Sequence, residues 1–168
     1  NPACGQKTPI SVIRERGGNG QGLRMWENDD VIPRPDDVFQ ERLYCIRWVE
    51  TYVDDEGKEK TRRFYMAPDE EDCERERKVY ELLMERFHDW QEKGYIPSKR
   101  IEPGDKTEEP IRTRGWTHWH HLFNPRQLIL LGTVSSEVGE LCSEREVLSA
   151  LLLGIGKVIN YSSKLSSW

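Results

Sequence analysis

The chain has 168 residues, of which 36% are hydrophobic and 33% charged, and a formal net charge of −5. Globular domains average roughly 45–50% apolar and about 25% charged residues, so this chain is polar for a self-contained domain. Its 10% aromatic content keeps it out of the disordered class. The length fits one domain, or one with a small appendage, and excludes a large multidomain enzyme for these residues.

The longest apolar candidate, Val147 to Gly156, is about half of the ~20 residues needed to cross a bilayer, so no membrane partner is expected. The first residues carry neither the basic nor the apolar stretch of a signal peptide. A start at Asn1 rather than Met, with Cys4 at the very edge, reads as a chain cut from something longer.

The net charge hides an asymmetry. Residues 1–26 carry four basic and one acidic residue, residues 27–114 carry 17 basic and 25 acidic, and residues 115–168 carry four of each. An acidic middle argues against a nucleic-acid surface over most of the chain, whereas the basic start offers a local contact. Three regions follow: a Gly/Pro-rich basic loop region at 1–37, a hairpin with a charged amphipathic helix at 38–114, and an apolar helical pair at 115–168. Four cysteines at 4, 45, 73 and 142, with no short pairing, fit a reduced, cytoplasmic setting. Cys45, Cys73 and Cys142 read as small buried hydrophobes.

In chain order, Arg16 to Gly22 holds four glycines between Gly17 and Gly22, and Ile32-Pro33-Arg34-Pro35 is a stiffened connection. Residues 42–53 are aromatic and β-branched and predict a strand, with Tyr44, Ile46, Trp48 and Tyr52 on one face. Asp54 to Gly57 predicts a turn, and Lys60 to Met66 the return strand of a hairpin.

Asp69 caps a helix whose stripe is Val79 or Tyr80, Leu83, Phe87 and Trp90, ending at Gly94. Residues 97–114 read as a connector. Asn124-Pro125 starts a helix with Leu128 and Leu131 on its face, and a last helix spans about 143–161. These two apolar helices are expected to form the core, and Gly154 and Gly156 to mark close backbone packing. The expected fold class is α+β: a small antiparallel hairpin sheet with about three main helices.

Candidate chemistry sits in four places. Cys4-Gly5 resembles one arm of a zinc knuckle, with no partner cysteine nearby. His118, His120 and His121 invite a metal reading, but Trp116, Trp119 and Phe123 around them favour an aromatic and imidazole layer. Arg14, Arg16 and Arg24 among glycines suit phosphate contact through guanidinium groups and backbone amides. Asn160, Ser162 and Lys164 supply donors that suit a nucleic-acid backbone or base. No dinucleotide or Walker loop, no Gly-x-Ser-x-Gly, no His-Glu-x-x-His and no Asp-Pro-Pro-Tyr occurs.

Two blocks, Arg112 to Leu128 (containing Leu122-Phe-Asn-Pro-Arg-Gln-Leu128) and Ile159 to Trp168, resemble the central region of large prokaryotic adenine-specific DNA methylases that carry an internal zinc-ribbon. Arg16 to Trp26 and Val38 to Trp48 are similar to one branch of that family. The resemblance implies a non-catalytic region that aids DNA engagement or target positioning. Its rival is a structural or protein-interaction module that bridges the methylase halves or recruits a partner.

In that family S-adenosylmethionine and the Asp-Pro-Pro-Tyr motif belong to parts outside this region, so no catalytic residue is carried over here. The implied partners are DNA and the remaining parts of the methylase chain. The family's first zinc knuckle would include Cys4. Its second, a Cys-Pro-x-Cys, has no counterpart in this sequence.

Overall fold

A computed structural model describes Gly5, Lys7, Pro9, Ser11, Val12, residues 23–141 and residues 144–164. The architecture is α+β. Strands β1 (Ile46–Val53) and β2 (Glu59–Met66) precede helices α1 (Glu70–Glu92) and α2 (Glu108–Arg114). A 3-10 turn at Trp119–Leu122 then leads into α3 (Pro125–Leu141) and α4 (Arg145–Ser162).

The strands form a two-stranded antiparallel sheet in which Ile46 faces Met66, Trp48 faces Phe64 and Tyr52 faces Lys60. Asp54 shapes the turn. Its backbone N–H donates to the Lys58 carbonyl at 2.9 Å, and its Oδ1 accepts from the backbone amides of Glu56 and Lys58. Gly57 supplies the positive φ of 78°. Strand alternation gathers Ile46, Trp48, Tyr52, Phe64 and Met66 on one face. Neither strand packs substantially on another described element.

Asp69 caps α1 by accepting from the Asp72 N–H at 2.8 Å, and Asp72 Oδ2 accepts in return from the Asp69 N–H at 3.2 Å. Leu83, Phe87 and Trp90 are buried, as the stripe predicts. Gly94, with φ of 78°, lets the chain reverse so that the N–H groups of Tyr95 and Ile96 both return to the Trp90 carbonyl.

The hydrophobic core joins Trp26 and Val31 to Leu83, Phe87, Trp90, Ile96, Trp116, Leu122, Phe123, Leu128 and Leu131. Each of the three sequence regions contributes to it. Helices α1 and α3 approach closely enough that the Trp90 ring lies over Gly132.

Four expectations change. The core is built by α1, α3 and the irregular segments around Trp26 and Trp116, not by the two apolar helices: no residue of α4 is fully buried, and Leu153 is 78% exposed. The connector at 97–114 contains the short helix α2, capped by Gly115 at φ 77°. Cys73 is exposed on α1 and Cys45 is half-buried, whereas Cys142 lies outside the described residues. A Cβ on Gly154 or Gly156 would meet nothing within 4 Å, so no close packing within the described chain explains them.

Candidate functional site

The most tightly organised polar region is where residues 23–31 lie against residues 115–123. The Trp26 N–H donates to the Gly115 carbonyl at 2.8 Å. Gly115 is required twice: its φ is positive, and a Cβ there would sit 2.0 Å from the Arg24 carbonyl oxygen. The Thr117 hydroxyl donates to the Trp26 carbonyl, and His118 Nδ1 donates to the same hydroxyl at 2.9 Å.

The histidines are structural in this arrangement. His121 Nδ1 accepts from the backbone N–H groups of Thr117 and His118 at 3.1 and 3.2 Å, which places its proton on Nε2. That Nε2–H donates to the Glu27 carbonyl at 3.0 Å. His120 Nε2–H donates to the Asn28 carbonyl at 2.9 Å. Gln91 and Asn28 exchange a reciprocal pair of amide bonds beside it, at 2.9 and 3.0 Å.

Burial holds both rings neutral, pushing His120 down to about 4 and His121 down to about 3. His118 is also lowered, by burial and by Arg100. Among the described residues no group of three or more His, Cys, Asp or Glu side chains is placed to hold a metal ion.

Arg24 is engaged within the fold. Its Nε and Nη2 grip Asp37 at 2.6 and 2.7 Å, and its Nη1 donates to Asp30 at 2.5 Å. Its pKa is raised by the hydrogen bond to Asp37, against the effect of burial, with Asp30 adding to the rise. At Asp30 burial pushes the pKa up, but the bonds from Arg24, the Glu27 N–H and Arg34 outweigh it and hold it low. A bidentate fork used on carboxylates is not presented to a phosphate.

The cavity beside this network, of about 280 Å³, is lined by Trp26, Phe39, Glu41, Arg114, Trp116 and Lys164. Lys164 Nζ stands over the rings of Trp116 and Trp26 at 4.9 and 5.7 Å and pairs with Glu41 at 2.8 Å. Burial lowers its pKa, with Glu41 acting in the other direction. The Lys164 N–H donates to the Leu122 carbonyl at 2.7 Å, and the Gln127 side-chain amide donates to the Ser162 carbonyl. Lys164 and the Ser162 backbone thus fasten the end of α4 to the turn before α3.

Asn160 is different: it is exposed, and its amide bonds to no described residue. It lines an open pocket of about 530 Å³ with Ile96, Lys99, Trp119, Phe123 and Ile159. Lys99 and Trp119 were not singled out by chemistry in the sequence. Their juxtaposition is made by backbone bonds between residues 99–101 and 117–119, so no local sequence signal marks it.

Of the predicted site residues, the structure brings Arg24 and Lys164 to one cavity and leaves Asn160 on another face. Cys4, Arg14, Arg16 and the glycine-rich loop lie outside the described residues. Among the described residues no helix is long and apolar enough to cross a membrane. No protein-family model matches the chain, and neither a curated protein nor a solved structure does.

Proposed function

We propose that this chain is a non-catalytic region of a cytoplasmic adenine-specific DNA methyltransferase, and that its hairpin docks on the remaining parts of that enzyme. The sequence resemblance supplies the enzyme class. The docking role rests on one observation: Trp48, Tyr52, Phe64 and Met66 share a hairpin face and are all exposed. A two-stranded hairpin is marginally stable alone and gains stability only when a face is covered. Exposed aromatic and aliphatic side chains gathered on one face, here around the Glu50–Arg62 ion pair, mark an interaction site.

The partner of the hairpin on this reading is protein rather than nucleic acid. The tip acids Asp54 and Glu56 pair with Lys60 and Lys58, and the hairpin as a whole carries no net positive charge to draw a phosphate backbone. Binding of S-adenosylmethionine and methyl transfer belong to other parts of the enzyme. No described strand here leads through a glycine-rich turn into a helix in the manner of a nucleotide-binding loop. DNA engagement has support at one edge, where Lys99 and Arg100 stand beside Trp119 with no ion pair to a described residue.

The test is methyl transfer to adenine in DNA by the full-length protein that carries this chain. Trp48→Ser with Phe64→Ser is expected to lower transfer and open the enzyme to proteolysis, while the melting of the isolated chain stays unchanged. A full-length double variant with unaltered transfer and protease resistance overturns the docking role. A full-length protein that transfers no methyl group to adenine overturns the enzyme class.

A further inference from the structure

The pocket between the 3-10 turn and the end of α4 combines features that occur together nowhere else among the described residues. Its floor is apolar, with Ile96, Phe123 and Ile159. One wall is Trp119, 39% exposed although its backbone is fixed. Its volume of about 530 Å³ falls within the roughly 300–1,000 Å³ typical of small-molecule sites.

Trp119 also borders a second cleft lined by Lys99, Arg100 and Glu102, so two cations flank the exposed indole, with one carboxylate nearby. Several other cations are tied into ion pairs, such as Arg62 with Glu50, Arg77 with Glu74 and Arg126 with Glu76. Lys99 and Arg100 make no ion pair with any described residue.

The walls are held in place before any ligand arrives. The Trp119 N–H donates to the Lys99 carbonyl at 3.2 Å, the Ile101 N–H donates to the Thr117 carbonyl at 2.8 Å, and Arg100 bridges to His118. The third wall, at Asn160, is fixed by the bonds that fasten Ser162 and Lys164 to Gln127 and Leu122. A positioned aromatic face with cations at its rim and a free carboxamide matches the needs of one ligand chemistry. An unstacked base stacks on an aromatic ring, its phosphate meets Lys and Arg, and a carboxamide reads an adenine edge through paired bonds.

We propose that this pocket takes one unstacked nucleotide of single-stranded or locally opened DNA. Trp119 provides the stacking face, Lys99 and Arg100 contact the flanking phosphates, and Asn160 selects adenine. The proposal rests on the DNA-engaging reading of this edge and not on the hairpin. The pocket is preorganised, so binding requires no rearrangement of the fold.

The experiment titrates the chain with a fluorescently labelled ten-nucleotide adenine-containing single strand, following anisotropy at several salt concentrations. The same strand as duplex, a thymine-only strand and adenosine monophosphate serve as comparison arms. The single strand is expected to bind more tightly than the duplex. Trp119→Ala should weaken it by roughly 5- to 150-fold, while Trp119→Phe retains most affinity.

Lys99→Ala and Arg100→Ala should each lower the logarithmic salt slope by about 0.7. Asn160→Ala should remove the preference for adenine over thymine. Duplex binding that survives Trp119→Ala overturns the pocket but keeps a DNA-engaging chain. Absence of binding to either DNA at low salt overturns both. Adenosine monophosphate binding as tightly as the strand overturns the nucleic-acid assignment in favour of a free nucleotide.

Discussion

His121 and Glu27, 94 residues apart in sequence, meet through a 3.0 Å bond from the imidazole Nε2–H to the Glu27 carbonyl. That bond survives protonation, but the arrangement around it requires a neutral ring, because Nδ1 must keep a lone pair for the Thr117 and His118 amides. Protonation breaks that acceptor role while the ring stays enclosed.

Stability therefore falls with acid. Burial lowers the folded-state pKa of His120 to about 4 and of His121 to about 3, below the ordinary 6.5. Above pH 6.5 both rings are neutral folded and unfolded, and they contribute no slope. Below it the unfolded chain binds protons that the folded chain refuses, costing up to about 1.4 kcal/mol per pH unit per histidine. Asp30 and Asp37, with lowered pKa values, add their own loss below about pH 4. Urea midpoints should hold between pH 7 and 8 and drop steadily from 6.5 to 4. A midpoint unchanged between pH 7 and 5 contradicts the buried neutral pair.

Glycines should split into two classes. A Cβ at Gly132 would lie 2.2 Å from two carbons of the Trp90 ring, so Gly132→Ala must push α1 and α3 apart. A loss of about 1–3 kcal/mol is expected from such overpacking. Gly154→Ala and Gly156→Ala meet open space and should stabilise α4 by about 0.4–1 kcal/mol each. Thermal melting of the three variants gives the ordering directly.

Arg24→Ala should act on folding rather than on DNA. It leaves Asp30 and Asp37, both largely enclosed, without their main partner. Loss of charged hydrogen bonds of this kind costs about 1.5–3 kcal/mol. The variant is expected to unfold at lower urea while its DNA affinity, corrected for the folded fraction, and its salt slope stay as in the parent chain. A reduced salt slope would return Arg24 to the list of phosphate contacts.

The hairpin should be the least protected ordered element in the isolated chain. Its cross-strand bonds have no covering layer, whereas the amides of α1 around Leu83 and Phe87 lie in the core. Hydrogen exchange should label residues 46–66 well before residues 83–91. Equal protection would show that the sheet is stable without a partner.

The elements with strong periodic or turn signals were legible in the sequence. Asp69, Gly94 and the Leu83, Phe87 and Trp90 stripe define α1 because capping and amphipathicity are local properties. The hairpin was legible from Trp48, Tyr52 and Phe64 for the same reason, although its first strand begins at Ile46 rather than near Arg42.

The interior was less legible. The stripe of the last helix reads as Leu148, Leu151 or Leu152, Ile155 and Val158 or Ile159, yet only Leu148, Ile155 and Ile159 are half-buried, none is fully buried, and the rest of the apolar surface of α4 is open. Arg24 read as a phosphate ligand because Asp30 and Asp37 are close in sequence but their convergence on one guanidinium is a tertiary fact. The histidine layer was read correctly as packing, but the use of His121 as a capping acceptor depends on where Glu27 lies in space.

The contact between the 23–31 segment and the 115–123 segment also divides the molecule in an unusual way. A single cut at the exposed turn between Asp54 and Lys58 would separate the chain into two covalent pieces without separating the particle. Trp26 and Val31 from the first piece would remain in a core otherwise supplied by the second. The bonds from His120 and His121 to the carbonyls of Asn28 and Glu27 would still bridge them. Limited proteolysis at that turn should therefore give one species under native conditions and two under denaturing ones. The histidine latch makes the fold a noncovalent union of two segments as well as a covalent one.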